Sequence, residues 1–295
     1  MSDQLSVFLQ QLFNALTISG VYALVALGIT VIFGLTGIVK FSVGELLTLG
    51  AFLTFTFWEG GLTFFLAVPL AAIAVGGFSL LLERGAFRFT LDQPINGFIV
   101  SLGLILVLQN LVVEIWGVGF KAPIRPFTQV WEVGGVTMPV QRWFVIWVAV
   151  ILIAVLFMVL RYSKYGRAMR ACAEDRDAAA LMGIPVALVI AGTFALGGAL
   201  AATAGGLLAS LFAIQPFIGA QYLLKGFAVA LVGGLGNIEG AVIAAILVGL
   251  TETMGAGYLA TEWRDAYTFA LLIAILLVRP RGLFPARGRL QETLQ

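Results

Sequence analysis

Long apolar runs separated by short polar or glycine-rich breaks occupy most of this chain, and a run that must cross about 30 Å of hydrocarbon satisfies its backbone there as a helix. Runs at 9–33, 41–57, 62–82, 95–116, 143–160, 187–213, 219–235, 240–257 and 265–278 predict nine crossings, or eight if a weak run at 41–57 or 265–278 is not a span. Composition agrees, because 61% hydrophobic and 11% charged residues over 295 positions, with mean hydropathy +1.05, are values no soluble domain of this length sustains. The expected fold class is an all-α polytopic membrane protein. Nothing resembling a linker or a second composition class breaks residues 1–295, so one membrane domain is expected, with a cytoplasmic loop at 161–186 inside it.

Lys and Arg set the orientation, since they accumulate on the cytoplasmic side. An outside N-terminus and a cytoplasmic C-terminus place Lys40, Arg84, Arg88, the five basic residues of 161–176 and the four of 279–289 inside, 12 of the 17 in the chain. Lys121, Arg125, Arg142 and Arg264 then fall outside, and Lys225 lies within a span, where it either lines a path or snorkels to the outer interface. This arrangement needs an odd number of crossings and so favours nine. No basic residue precedes Lys40, so the first run lacks the positive region of a signal peptide and is expected to remain as a span.

With no histidine and a single cysteine, tight zinc, haem and iron–sulfur sites are excluded. Cys172 has no intramolecular partner and falls on the reducing cytoplasmic side. The basic residues segregate by membrane side rather than interleaving with aromatics, so nucleic acid is not an expected partner. The basic tail RPRGLFPARGRL, 279–290, is expected to sit beside anionic lipid headgroups. The stretch 117–142 predicts a short hairpin or irregular cap over the outer face, as an ordinary loop or a docking face for a substrate-delivering protein.

Most of the 35 glycines fall inside the runs, where small residues let helices approach closely. Two segments are more polar than packing requires. In FGLTGIVKFSVGELLTLGAF, 33–52, the apolar run is interrupted by Gly34, Gly37, Lys40, Ser42, Gly44 and Glu45. Broken helices at membrane depth belong where they line a cavity, and an intramembrane carboxylate such as Glu45 is a functional candidate. The second segment, 231–252, carries Gly234-Leu235-x-x-Ile238, an echo of Gly34-Leu35-x-x-Ile38 and of the kind internal duplication produces. Glu239 and Glu252 lie near span ends and read as solvated.

The charged island RYSKYGRAMRACAEDRDAAALMGIP, 161–185, predicts one helix over 167–182, closed by Gly183 and Pro185. Met169, Cys172 and Ala173 give it a small apolar face. A helix of this kind, tied to two spans, can act as a lever.

These residues resemble the permease subunits of branched-chain amino acid ABC importers. The stretch FGLTGIVKFSVGEL, 33–46, is similar to that family's Y-G-L-T-G-V-I-N-F-A-H-G-E-L, with Lys40 in place of the usual Asn and Val43 in place of the usual His. Gly166, Ala168, Arg170 and Ala171, closing with Leu181-x-Gly183-Ile184, resemble its cytoplasmic coupling segment. Lys225 and the run Gly233, Gly234, Gly236 and Gly240 resemble its C-terminal half.

The resemblance implies an ABC-importer transmembrane domain moving branched-chain or related amino acids across a prokaryotic inner membrane, with importers of urea or short amides as the family alternative. The chain lacks a G-x-x-x-x-G-K-[ST] phosphate loop, so ATP and Mg belong to partner subunits and no cofactor is expected here. The implied partners are a second homologous permease, two ABC ATPases, an extracytoplasmic binding protein and membrane lipid. Lys40, Ser42, Gly44, Glu45, Lys225, Gly234, Gly236 and Asn237 are then the candidate translocation path. Gly166, Arg167, Ala168, Arg170, Ala171 and Gly183 are the candidate ATPase coupling residues. A stand-alone secondary transporter or channel, using Glu45 as a proton or ion site, is the competing class. A membrane enzyme is not expected, because the intramembrane carboxylates read as isolated and there is no histidine.

Overall fold

The computed structural model of the protein describes residues 3–91, 93–133 and 136–285. Among these, eleven α-helices follow in order: α1 Asp3–Thr36, α2 Val43–Glu59, α3 Phe64–Gly85, α4 Pro94–Trp116, α5 Val140–Tyr162, α6 Lys164–Glu174, α7 Arg176–Leu181, α8 Val186–Leu211, α9 Ile218–Gly233, α10 Ile238–Tyr258 and α11 Arg264–Val278. A 3-10 turn, Phe87–Thr90, joins α3 to α4. Strands β1 Val130–Val133 and β2 Val136–Pro139 pair antiparallel between α4 and α5.

Each apolar run of the sequence forms one helix. Six of them, α1, α3, α4, α5, α8 and α10, are long and apolar enough to cross a membrane. α2, α9 and α11 are shorter, with 17, 16 and 15 residues, as their apolar runs are. α1 extends beyond the run 9–33 at both ends, and its 34 residues would span about 51 Å.

α1 and α8 form the centre. Residues 21–32 of α1 are all buried, with α8, α9, α10 and α5 packed around that helix, while α8 also receives α2 and α3. The backbones touch at small residues. A Cβ on Gly28 would stand 2.9 Å from the Gly197 carbonyl oxygen, and one on Gly50 would enter the backbone of Ala202. In hydrocarbon no hydrophobic force draws helices together, so this close van der Waals fit supplies the cohesion. The outer helices turn large apolar side chains outward, among them Ile73, Ile99, Leu106, Ile151 and Leu277, a pattern matched to lipid and costly in water.

One end of the bundle carries the cap expected for 117–142. Lys121 and Ile214 exchange backbone hydrogen bonds of 2.9 and 3.1 Å, and the Ile124 N–H donates to Ala209 at 2.8 Å, laying the segment over the end of α8 before the hairpin turns into α5. At the opposite end lies the charged island, which corrects the expectation of one helix over 167–182. It is two helices, α6 and α7, broken at Asp175, whose backbone is extended (φ −154°, ψ 116°). The Asp175 carboxylate accepts from the N–H groups of Asp177 at 2.9 Å and Ala178 at 3.0 Å, capping a new helix instead of continuing the old one. Ser163 does the same for α6, accepting from the Gly166 N–H at 2.9 Å, so that helix starts earlier than expected. The buried face is Gly166, Met169 and Cys172, while Ala173 is exposed.

Candidate functional site

The first broken segment begins where α1 stops. Gly37 adopts φ 70°, a conformation that ends the helix without a Cβ clash, and residues 37–42 run on without helical structure to α2. Lys40 in this connector is buried. Its ammonium donates to Ser79 Oγ at 2.9 Å and lies 4.7 Å from the ring centre of Phe194 and 5.3 Å from that of Phe87. Ser79 donates in turn to the Phe194 carbonyl at 2.8 Å. Two aromatic faces and a hydroxyl therefore enclose the cation, an arrangement that stabilises an ammonium out of water.

The Ser42 N–H is held by Ser101 Oγ of α4 at 2.8 Å, which sets the start of α2. One turn on, Glu45 is also buried, with Oε1 accepting from Gln109 Nε2 at 3.0 Å. Glu45 Oε2 and Ser42 Oγ are both enclosed with no hydrogen-bond partner. Lys40 and Glu45 thus make separate contacts, although five positions apart in sequence. Gly44 lets the first turn of α2 press onto the first turn of α9, since a Cβ there would stand 2.7 Å from Leu223 Cβ and strike Gly219.

The second broken segment joins α9 to α10 through Gly234 (φ 99°) and Gly236 (φ 86°). Asn237 caps α10, its side-chain oxygen accepting from the Gly240 N–H at 2.9 Å while its amide donates to the Phe284 carbonyl at 3.0 Å. The start of the basic tail lies along this connector, with Leu283 N–H bound to the Val232 carbonyl at 2.8 Å and Phe284 N–H to that of Gly233 at 3.2 Å. The rest of that tail, 286–290, lies outside the described residues. The last turn of α1 meets this second broken segment, because Gly34 stands against Gly236.

Lys225 is not among these connectors and does not snorkel. Its ammonium pairs with Glu252 at 2.9 Å and Asp265 at 2.8 Å, with the ring of Tyr22 5.6 Å away. Glu252 overturns the expectation of a solvated residue and of isolated carboxylates. It is fully buried and also accepts from Arg264 Nε at 2.5 Å, from the Tyr22 hydroxyl at 2.8 and 2.9 Å, and from Thr268 at 3.1 Å. The reason is packing: α10 ends within one residue of the expected run, but α1, α9 and α11 bring Tyr22, Lys225, Arg264 and Thr268 around the carboxylate. Glu239, in the first turn of α10, is exposed as expected. A cavity of about 330 Å³ opens beside the cluster, lined by Tyr22, Phe212, Tyr222, Lys225, Arg264 and Asp265. Sequence reading singled out Lys225 alone. The missing signal was the obligation of a buried cation to find carboxylate partners, which α10 and α11 supply.

On the opposite end, Gly166 fits α6 against the backbone of Leu160, where a Cβ has no room. Arg170 donates to the Leu160 carbonyl and Arg167 to that of Tyr162 at 3.1 Å, so the two arginines tie α6 to the end of α5. Ala168 and Ala171 pack on the core. Tyr165 reaches α8, donating to the Val189 carbonyl and meeting Thr193 Oγ1, both at 2.9 Å, and burial raises its phenol pKa. Burial likewise pushes the Cys172 thiol up, against the pull of nearby Arg176. Gly183 (φ 80°) closes α7, and beside it Leu181 and Met182 are 89% and 82% exposed, a bare apolar tip that the sequence did not single out.

The family model described as branched-chain amino acid transport system / permease component matches residues 11–276. The chain is similar to the high-affinity branched-chain amino acid transport system permease protein LivH of Escherichia coli (strain K12), at 34% identity over 96% of this chain and 97% of that protein. It is similar to BraD of Pseudomonas aeruginosa, of the same description, at 33% identity over 94% and 95%. LivM of Escherichia coli (strain K12) is 26% identical over 91% of this chain and 69% of its own length. No solved structure matches the chain.

Proposed function

The chain belongs to the family of branched-chain amino acid transport permease components, and from that premise we propose that it is the membrane-crossing permease of an ATP-driven importer for branched-chain or related amino acids. It lies in a prokaryotic inner membrane as a single domain, 1–295, with nine crossings formed by α1 to α5 and α8 to α11. The N-terminus faces outward and the C-terminus the cytoplasm. Positive residues favour this orientation, because the island 161–186 and the Arg84–Arg88 turn then share the cytoplasmic side.

A soluble binding protein delivers the solute to the outer end, where the hairpin cap and the cavity beside Lys225, Arg264 and Asp265 lie. A second homologous permease completes the passage, and two ABC ATPases engage α6 and α7. Those ATPases use ATP and Mg; this chain supplies no cofactor and no catalytic step. Closure of the ATPases displaces the island and exchanges outward and inward openings of the bundle.

The carrying observation is the packing of the last turn of α1 on the second glycine-broken connector, Gly34 against Gly236, beside the connector that leaves α1 at Gly37. Non-helical backbone enclosed by protein, as at buried Lys40 and Gly234, suits a passage for solute. Ser42 and Glu45 lie at the end of the first connector and offer buried oxygens with no partner, fitted to a solute ammonium. Lys40, Gly44, Gly234, Gly236 and Asn237 shape the same passage, and Lys225 holds its outer wall.

Reconstitution of the chain with the second permease, the ATPases and the binding protein in liposomes tests this reading. Leucine uptake that requires ATP and the binding protein is the expected result. Uptake that persists without ATP would assign the chain to secondary carriers instead, and exclusive uptake of urea or amides would reject the amino-acid substrate.

A further inference from the structure

Arg176 stands outside the coupling residues that the sequence singles out, yet it makes three contacts across the bundle. One amino group donates to the carbonyls of Leu35 at 3.0 Å and Thr36 at 2.9 Å, and the other reaches that of Leu91 at 3.4 Å. Leu35 and Thr36 offer the last free carbonyls of α1, the negative end of its dipole, and a guanidinium fork can grip two at once. The connector that carries Lys40 leaves α1 at the next residue, Gly37. Leu91 directly follows the 3-10 turn Phe87–Thr90, whose Phe87 ring covers the Lys40 ammonium. Arg176 therefore holds both sides of the Lys40 enclosure, the connector that bears the cation and the turn that closes over it. At the far end of the same short helix, Leu181 and Met182 project bare from the bundle.

We propose that Arg176 is a positioning residue that transmits displacement of α7 to the Lys40 enclosure, so that the enclosure opens and closes with ATPase engagement. The inference rests on the reading of 161–186 as the ATPase coupling surface. A lever needs a rigid joint at its fulcrum, and the single fork from α7 to two other elements supplies one. Lysine at this position keeps the charge but loses the fork, and glutamine loses the charge as well.

Arg176→Lys and Arg176→Gln should be compared with the unaltered chain in the complete reconstituted importer. Both variants are expected to assemble and to hydrolyse ATP within about twofold of the parent. Solute moved per ATP should fall about tenfold for glutamine and about threefold for lysine, as loss of a charged hydrogen bond implies. A second readout follows the turn itself: Thr90→Cys in a Cys172→Ser background, labelled by maleimide with and without trapped ATP. The parent should show ATP-dependent labelling and the glutamine variant none. An unchanged solute-to-ATP ratio with preserved ATP-dependent labelling would overturn the inference. So would loss of assembly in both variants, which would make Arg176 a docking residue. If the parent complex itself shows no hydrolysis stimulated by loaded binding protein, the underlying reading fails instead.

Discussion

Gly34 and Gly236 lie against each other, with a Cβ on Gly34 reaching 3.4 Å from the Gly236 Cα. They sit some 200 positions apart in sequence, each in a Gly-Leu-x-x-Ile stretch that interrupts the apolar pattern. Their contact seats the last turn of α1 on the break between α9 and α10.

The two glycines should respond differently to alanine. Gly236 has φ 86°, so Gly236→Ala should cost about 1–2 kcal/mol, visible as a lower melting temperature in detergent. Gly34 is helical and its added methyl meets ordinary van der Waals distance, so Gly34→Ala should melt close to the parent.

Glu252 neutralises Lys225 and Arg264 together. Glu252→Ala should therefore destabilise the fold by on the order of 3 kcal/mol, by stranding buried charge. Lys225→Met leaves Glu252 with Arg264 and two hydroxyl donors, and should cost less. Thermal melting and expression yield of the two variants would check the order.

Substitution of the proposed path residues Ser42 and Glu45 should separate stability from transport. A buried hydroxyl without a partner costs about 1–3 kcal/mol, so Ser42→Ala should melt at or above the parent temperature while raising the KM for uptake. Glu45→Gln keeps an oxygen for Gln109 but loses the charge, and should slow uptake about tenfold without harming assembly. Uptake kinetics equal to the parent for both would remove them from the path.

Arg170→Glu replaces a donor to the Leu160 carbonyl with a second acceptor. Association with the ATPases, measured by co-purification, should fall several-fold while the chain still inserts. Unchanged transport-coupled hydrolysis would count against the coupling role.

Cys172 should label slowly with thiol reagents near neutral pH, because burial favours the uncharged thiol over the reactive thiolate. Its labelling rate should climb about tenfold per pH unit to beyond the ordinary thiol range. Rapid labelling at neutral pH would contradict the buried face of α6.

Local residues made much of this legible. The helices follow from apolar runs, the hairpin cap from its Pro, Gly and β-branched pattern, and the end of α7 from Gly183. Asp175 marks where local reading went astray: set among mostly good helix formers it was read through, whereas its carboxylate competes for backbone N–H groups and starts a new helix. Glu252 failed for a different reason: the end of α10 was foreseen, but its burial comes from Tyr22, Lys225, Arg264 and Thr268 on other helices, which local sequence does not bring together.

The sequence by itself determined that the chain is a bundle of membrane-type helices, where the charged island falls, and which segments break the apolar pattern, because hydropathy and backbone propensity act over neighbouring residues. Tertiary structure decided which distant groups meet. The enclosure of Lys40 by Phe87 and Phe194, the closing of Lys225 onto Glu252 and Asp265, and the reach of Arg176 to the end of α1 all join residues far apart in the chain. A buried charge must find a partner, but local sequence does not say which element will bring it. Helix packing makes that choice, at the small residues where backbones approach.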